Sequence, residues 1–204
     1  LEAEAVRDFI LATTYNLNLN TGGPSVPVTT DGEGKVVIGI QKIRDGLAAG
    51  VSEQKDAALR RSAFVEVNRS LPLNILATFD LPEMTPNCDN RRETTVATQS
   101  LWFLNDDQIV KLTNQLSERL FIKYPDNNNQ RLNTLFRRLH STSPRPEEQN
   151  LISDFLKRQE KYFKTDQDSD WQKKIKNDPE APKKRALAAL AQVLMASNRF
   201  LYID

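Results

Sequence analysis

The chain is poor in the residues that most often carry chemistry. Its 204 residues include one cysteine, Cys88, and one histidine, His140. A single cysteine excludes an internal disulfide, a thiolate zinc cluster and the Cys-x-x-Cys-His that attaches haem covalently. With a single histidine, any Ser-His-Asp or Cys-His arrangement has to use His140. The neighbouring Ser141 and Ser143 accompany no nucleophile motif. Net charge is nearly absent as well: 28 basic side chains against 27 acidic ones leave +1. That balance supplies no long-range field to hold a nucleic acid or an anionic membrane. No apolar run approaches the length needed to cross a bilayer. Gly22-Gly23 lead into Pro24 instead of a helix, so no glycine-rich phosphate loop is present.

What is there describes a globular chain with a polar surface, 39% hydrophobic and 27% charged. It is long enough for one good-sized core or two small ones. "EAEAVRDFILATTYNLN" sets Ala5, Phe9, Ala12 and Val6, Ile10, Thr13 at helical spacing. In "GGPSVPVTTDGEGKVVIGI", Asp31-Gly32 separates two runs rich in Val, Ile and Thr, which predicts a tight hairpin. Residues 41–59 are charged and interrupted by Gly46 and Gly50, and read as a surface excursion; 62–68 read as a third short strand. The remainder is helical. A short apolar helix lies in "LPLNILATF", and another starts near Val96 and buries Leu101 and Trp102. A third begins at an Asp106 cap with Ile109, Leu112, Leu116 and Leu120 on one side. "RLNTLFRRLH" places Leu132, Leu135, Phe136 and Leu139 at i, i+3, i+4 and i+7. Pro146 opens the next helix, with Glu147 and Glu148 suited to its dipole. Residues 164–184 read as a charged connection. The closing helix turns Leu187, Leu190 and Leu194 inward, followed by an apolar tail of Phe200, Leu201, Tyr202 and Ile203. The fold class expected is mainly α, with a small β-hairpin or short antiparallel sheet near the N-terminus. Residues 22–70 form the β-containing excursion and 71–204 the helical portion of a single domain, or of the C-terminal part of one.

The passage most like a site is "NCDNRRETTVATQSLWFLND", residues 87–106. Arg91 and Arg92 stand just before a helix start, where backbone N–H groups are free, so with Thr94 and Thr95 they form a candidate anion or ligand site. Asp80, Glu83, Cys88 and Asp89 are a candidate metal group whose mutual geometry nothing fixes. Against both stands a structural reading. A loop crossing a core must satisfy every backbone group, and a polar cluster of Asp80, Glu83, Asp89 and Glu93 can pair the two arginines. Satisfaction of buried polar groups favours this third reading.

Other candidates fall to specific defects. Asp166, Asp168 and Asp170 have the spacing that opens a calcium loop, but Trp171 stands where the turn wants Gly, and Asn177 where a bidentate Glu belongs. "DGEGK" fails similarly, with Lys42 in the twelfth place. The arginine pairs at 60–61, 91–92 and 137–138, and "KKIK" and "KKR", lack interleaved aromatics and read as solvated faces. His140 ends an apolar helix, where imidazolium is favoured.

The series "EAEAVRD", "GGPSVPV", "RRSAFVEVNRS", "FDLPEM", "NCDNRRETTVATQSLWFLN", "SPRPEEQ" and "LMASNRFLYID" resembles the C-terminal domain of unknown function of large planctomycete secreted proteins. The resemblance covers nearly the whole chain and is most specific at 87–105 and 194–204. Two features depart from it. Such domains usually begin with helices upstream of the point matching Leu1, so the chain is expected to be a piece of something longer. Relatives also commonly carry Thr where Arg145 stands, and arginine cannot accept a cap hydrogen bond, so that helix should begin less sharply. The family lends no activity. The resemblance implies export from the cytoplasm, a multidomain parent and haem in an upstream domain, with no cofactor in this chain. It makes neighbouring domains or another protein the expected partners. The function expected is a non-catalytic structural or interaction module. The alternative is an accessory domain completing a redox or hydrolytic enzyme whose catalytic groups lie upstream.

Overall fold

The computed structural model describes residues 2–44, 47–52, 56–68, 71–79 and 96–201. It is mainly helical, with two small antiparallel sheets near the N-terminus, as the sequence pattern requires. Close contacts divide the chain into two compact units, Leu1–Gln99 and Ser100–Asp204.

The first unit opens with α1 (Ala3–Thr13). Its buried stripe is Ala3, Val6, Ile10 and Thr13 with Arg7 and Leu11 beside it, whereas Ala5 is exposed. α1 packs on α2 (Asn74–Thr78), which brings Ile75 and Leu76 into the same core. Two hairpins follow α1. β1 (Val28–Thr30) pairs with β2 (Val36–Ile38) in the register Val28↔Ile38. Their turn is longer than a two-residue loop. Asp31 N–H bonds Lys35 O at 2.9 Å, Asp31 Oδ1 accepts from Glu33 and Lys35 N–H, and the left-handed position falls on Gly34 (φ 81°), not Gly32. β3 (Ile40–Arg44) and β4 (Leu47–Ser52) form the second hairpin within the stretch expected as an excursion. Gly39 joins the hairpins at φ 157°, where an added Cβ would stand 2.3 Å from Val51 Cγ1 and 2.9 Å from Ser52 O; only glycine fits. Residues 62–64 form a 3-10 turn, and Val65 makes only an isolated bridge with Val26, so no third strand forms there.

Buried arginines tie this unit together. Arg7 donates to Arg60 O (2.9 Å), Ala58 O (2.7 Å) and Ser62 Oγ (3.1 Å). Arg60, expected on a solvated face, is instead buried: it donates to Pro24 O (3.0 Å) and stacks 4.1 Å over the Phe64 ring. Asp8 accepts from Ser62 N–H (2.7 Å) and pairs with Arg61. Loops without ladder partners satisfy their carbonyls through these guanidinium groups.

The second unit is built around α8 (Ala181–Met195), an alanine-rich helix buried on most sides. α4 (Asp107–Lys123) and α6 (Pro146–Thr165) pack along it, with α5 (Asn128–His140), α7 (Ser169–Asn177) and α9 (Asn198–Leu201) at its flanks. Asp106 caps α4 by accepting from Gln108 and Ile109 N–H, and Ile109, Leu112, Leu116 and Leu120 are all buried. α3 (Val96–Asn105) differs from expectation in its face. Phe103 is fully buried, edge-on to Phe200 at 5.7 Å, while Leu101 is 60% exposed. Phe103 lies one turn on from the buried Gln99, which defines the stripe at i, i+4. The stretch 164–184 is no plain connection, because it contains α7 and the start of α8. Trp171 packs with Phe163, Ala181 and Ala186, and its indole donates to Phe163 O at 2.6 Å. Among the described residues no helix is long and apolar enough to cross a membrane.

Candidate functional site

Asp80, Glu83, Cys88, Asp89, Arg91, Arg92, Glu93, Thr94 and Thr95 lie outside the described residues.

The aspartate series of 166, 168 and 170 is spent on helix geometry. Asp168 Oδ1 accepts from Trp171 N–H at 2.8 Å and caps α7; Asp166 Oδ1 accepts from Asp168 N–H, and Asp170 pairs with Lys173 at 2.9 Å.

His140 ends α5, as its position implied, but its charge is not the one expected there. Nε2 lies 3.1 Å from Leu194 O and 3.1 Å from Ser197 Oγ, and the ring stands edge-on to Phe136. A carbonyl only accepts, so Nε2 carries the proton. Burial holds the imidazole below its ordinary value, with Leu194 O pulling the other way. Desolvation is the largest influence, so the ring is neutral at neutral pH. Ser197 Oγ itself donates to Leu194 O at 2.6 Å. Both protons point at one carbonyl, so Ser197 has no base, and the pair is a structural clasp between α5 and the end of α8.

A cleft of about 640 Å³ opens among α4, α5, α6 and α8, a size suited to a small molecule. Phe121, Leu132, Ile152, Leu156 and Leu187 give it an apolar floor. Five amide side chains line it as well: Asn128, Asn129 and Asn133 from α5, Gln149 and Asn150 from α6. Lys157 adds positive charge, Lys183 pairs with Glu180 at 3.9 Å, and the lining carboxylate, Glu160, is paired with Lys164 at 2.7 Å.

Arg131 is the unusual member. It is 7% exposed, and its guanidinium lies 3.8 Å from the Phe121 ring centroid. Stacking on an aromatic face stabilises the cation without satisfying its donors. Nε and Nη1 are buried with no hydrogen-bond partner among the described residues. Arg7 and Arg60 show what this chain does with a structural arginine, which is to surround it with carbonyls. Arg131 has none. The sequence carries one hint of it. Arg131 precedes Leu135 by four residues, placing a cation in register with the apolar stripe of α5.

The family described as PSD1, protein of unknown function (DUF1553), matches residues 1–156. No curated protein and no solved structure matches the chain. The match spans both hairpins, the arginine clamps, and the chain from α1 into α6, so the protein belongs to the PSD1 (DUF1553) family.

Proposed function

We propose that this chain is a non-catalytic structural or interaction module of a larger exported multidomain protein of planctomycete type, with haem carried by an upstream domain. The observation behind this reading is how the polar side chains of the described residues are spent. Arg7, Arg60, Asp106, Asp168 and Trp171 each serve backbone groups, and His140 faces a carbonyl. A catalytic site needs a nucleophile or acid-base pair left free and mutually oriented. Membership in a family of unknown function is consistent with this role. Purification of the parent protein, with absorption spectroscopy for haem and mass spectrometry for co-purifying chains, tests it. A stable partner or a haem-bearing neighbour, together with no turnover by this chain alone, is the expected outcome. Turnover of a hydrolytic or redox substrate by the isolated 204-residue chain would overturn it.

The second reading is an accessory domain completing an enzyme whose catalytic groups lie upstream. The cleft around Arg131 favours it, because a substrate-binding wall needs charge without its own nucleophile.

A further inference from the structure

We propose that the cleft among α4, α5, α6 and α8 is a binding site for a small hydroxylated acid, with Arg131 holding its oxyanion group. Three independent features converge on that chemistry. The first is the buried guanidinium. Arginine stays charged at any ordinary pH, and its planar fork matches a carboxylate or phosphate. Nε and Nη1 of Arg131 are buried and have no acceptor among the described residues, and an unmet charged donor is costly in such a place. An incoming oxyanion supplies what the fold withholds. The second is the surrounding charge. Lys157 lines the same cleft, whereas Lys183 pairs with Glu180 at 3.9 Å and Glu160 with Lys164 at 2.7 Å, so with Arg131 the lining still favours an anion. The third is the amides. Asn129, Asn133, Gln149 and Asn150 each offer a donor and an acceptor, the complement of a hydroxyl-rich body rather than of a bare ion. The apolar floor of Leu132, Ile152 and Leu156 suits the C–H face of a ring. A purely lipidic anion would leave the amides unpaired, and a neutral sugar would leave Arg131 unpaired.

Thermal-shift and calorimetric titrations of the 204-residue chain with glucuronate, glucose 6-phosphate and glucose test the proposal. Glucuronate or glucose 6-phosphate should raise Tm saturably, as a ligand of the folded state must, and bind well ahead of glucose. The two acids also separate a carboxylate site from a phosphate site. Arg131→Met removes the charge and puts an apolar side chain beside Phe121 in place of the guanidinium. It should weaken acid binding about tenfold to a hundredfold, the loss expected for charged hydrogen bonds, while Tm of the unliganded protein rises. Lys157→Gln with Lys183→Gln, on solvent-facing positions, keeps the test available if Arg131→Met does not fold, and should weaken the acids about two- to fivefold. The proposal is overturned if neither acid binds, if glucose binds as tightly as the acids, or if the variant that folds binds them as the wild type does. A fall in Tm on Arg131→Met as large as that on Arg7→Met would also overturn it, by making Arg131 a structural strut.

Discussion

Arg7 sits on α1 with its guanidinium enclosed, donating to Arg60 O, Ala58 O and Ser62 Oγ, and with Asp8 3.7 Å away. Burial pulls its pKa down to about 10, with Asp8 opposing, so the cation is still the form present at neutral pH. Arg7→Met leaves two carbonyls and a hydroxyl without their donor in a dry place. It should cost about 3 kcal/mol in urea unfolding, the scale set by unsatisfied buried acceptors; a loss below about 0.5 kcal/mol would mean that water replaces the guanidinium. The same residue type has opposite signs at two positions: removing Arg7 destabilises, whereas removing Arg131 relieves buried donors that nothing satisfies. His140 gives the pH prediction at this scale. Its folded pKa lies below the ordinary 6.5 because burial disfavours the imidazolium. Between the two values the unfolded chain binds the proton and the folded chain does not, so stability is lost as pH falls through 6.5 toward the folded value. His140→Gln can still donate to Leu194 O and should flatten that part of the pH profile of unfolding free energy. An unchanged slope would assign the dependence to another group.

At the level of elements, the start of α6 shows how a missing cap is compensated. Arg145 accepts nothing at the N-cap, but Glu148 reaches back and accepts from Arg145 N–H at 2.7 Å, the reciprocal half of a capping box. Arg145→Ser restores the other half and should raise stability by about 1 kcal/mol, read from the midpoint of chemical denaturation. No gain would mean that the Arg145–Glu147 contact at 3.7 Å outweighs a cap. Periodicity made α4, α5 and α8 legible because each buries a continuous stripe, and Asp106 announced its cap; α6, which buries Ile152 and Phe163, was announced by Pro146 and its acidic first turn. Periodicity failed for α7, whose apolar content is one i, i+4 pair, Trp171 and Ile175, held by an indole that satisfies a carbonyl in the last turn of α6. It failed for β3 and β4 because a two-stranded ribbon imposes no clear alternation. The tight turn at Asp31-Gly32 was misplaced since an aspartate side chain can close a longer loop on its own. The cleft was illegible for a different reason. Its residues come from four helices, so no local spacing records it, and Arg131 looks in sequence like any cation at the edge of an amphipathic helix.

At the scale of the whole chain, the family match and the folding units do not share a boundary. The match stops at residue 156, inside α6, whereas the second unit runs from Ser100 to Asp204. Its central helix, α8, lies wholly beyond the match and contributes buried Leu187, Leu190, Leu194 and Met195. Without them, Leu116 and Leu120 of α4 and Leu135 and Leu139 of α5 lose the surface that covers them. Burying a leucine side chain contributes roughly 2 kcal/mol, and folded domains have only about 5–15 kcal/mol in hand. A fragment of residues 1–156 should therefore keep helical far-UV circular dichroism in part, bind a hydrophobic dye, and show no amide-exchange protection in α4. A fragment of residues 96–204, which keeps α3 intact, should instead unfold in one cooperative transition, because the stripes of α4, α5, α6 and α8 close on one another within it. Protection of α4 in the shorter fragment would show that α8 is dispensable. Loss of cooperativity in 96–204 would show that the second unit draws its stability from residues before α3. Either result would remove α8 as the organising element of this unit, and with it the wall that Lys183 and Leu187 supply to the Arg131 cleft.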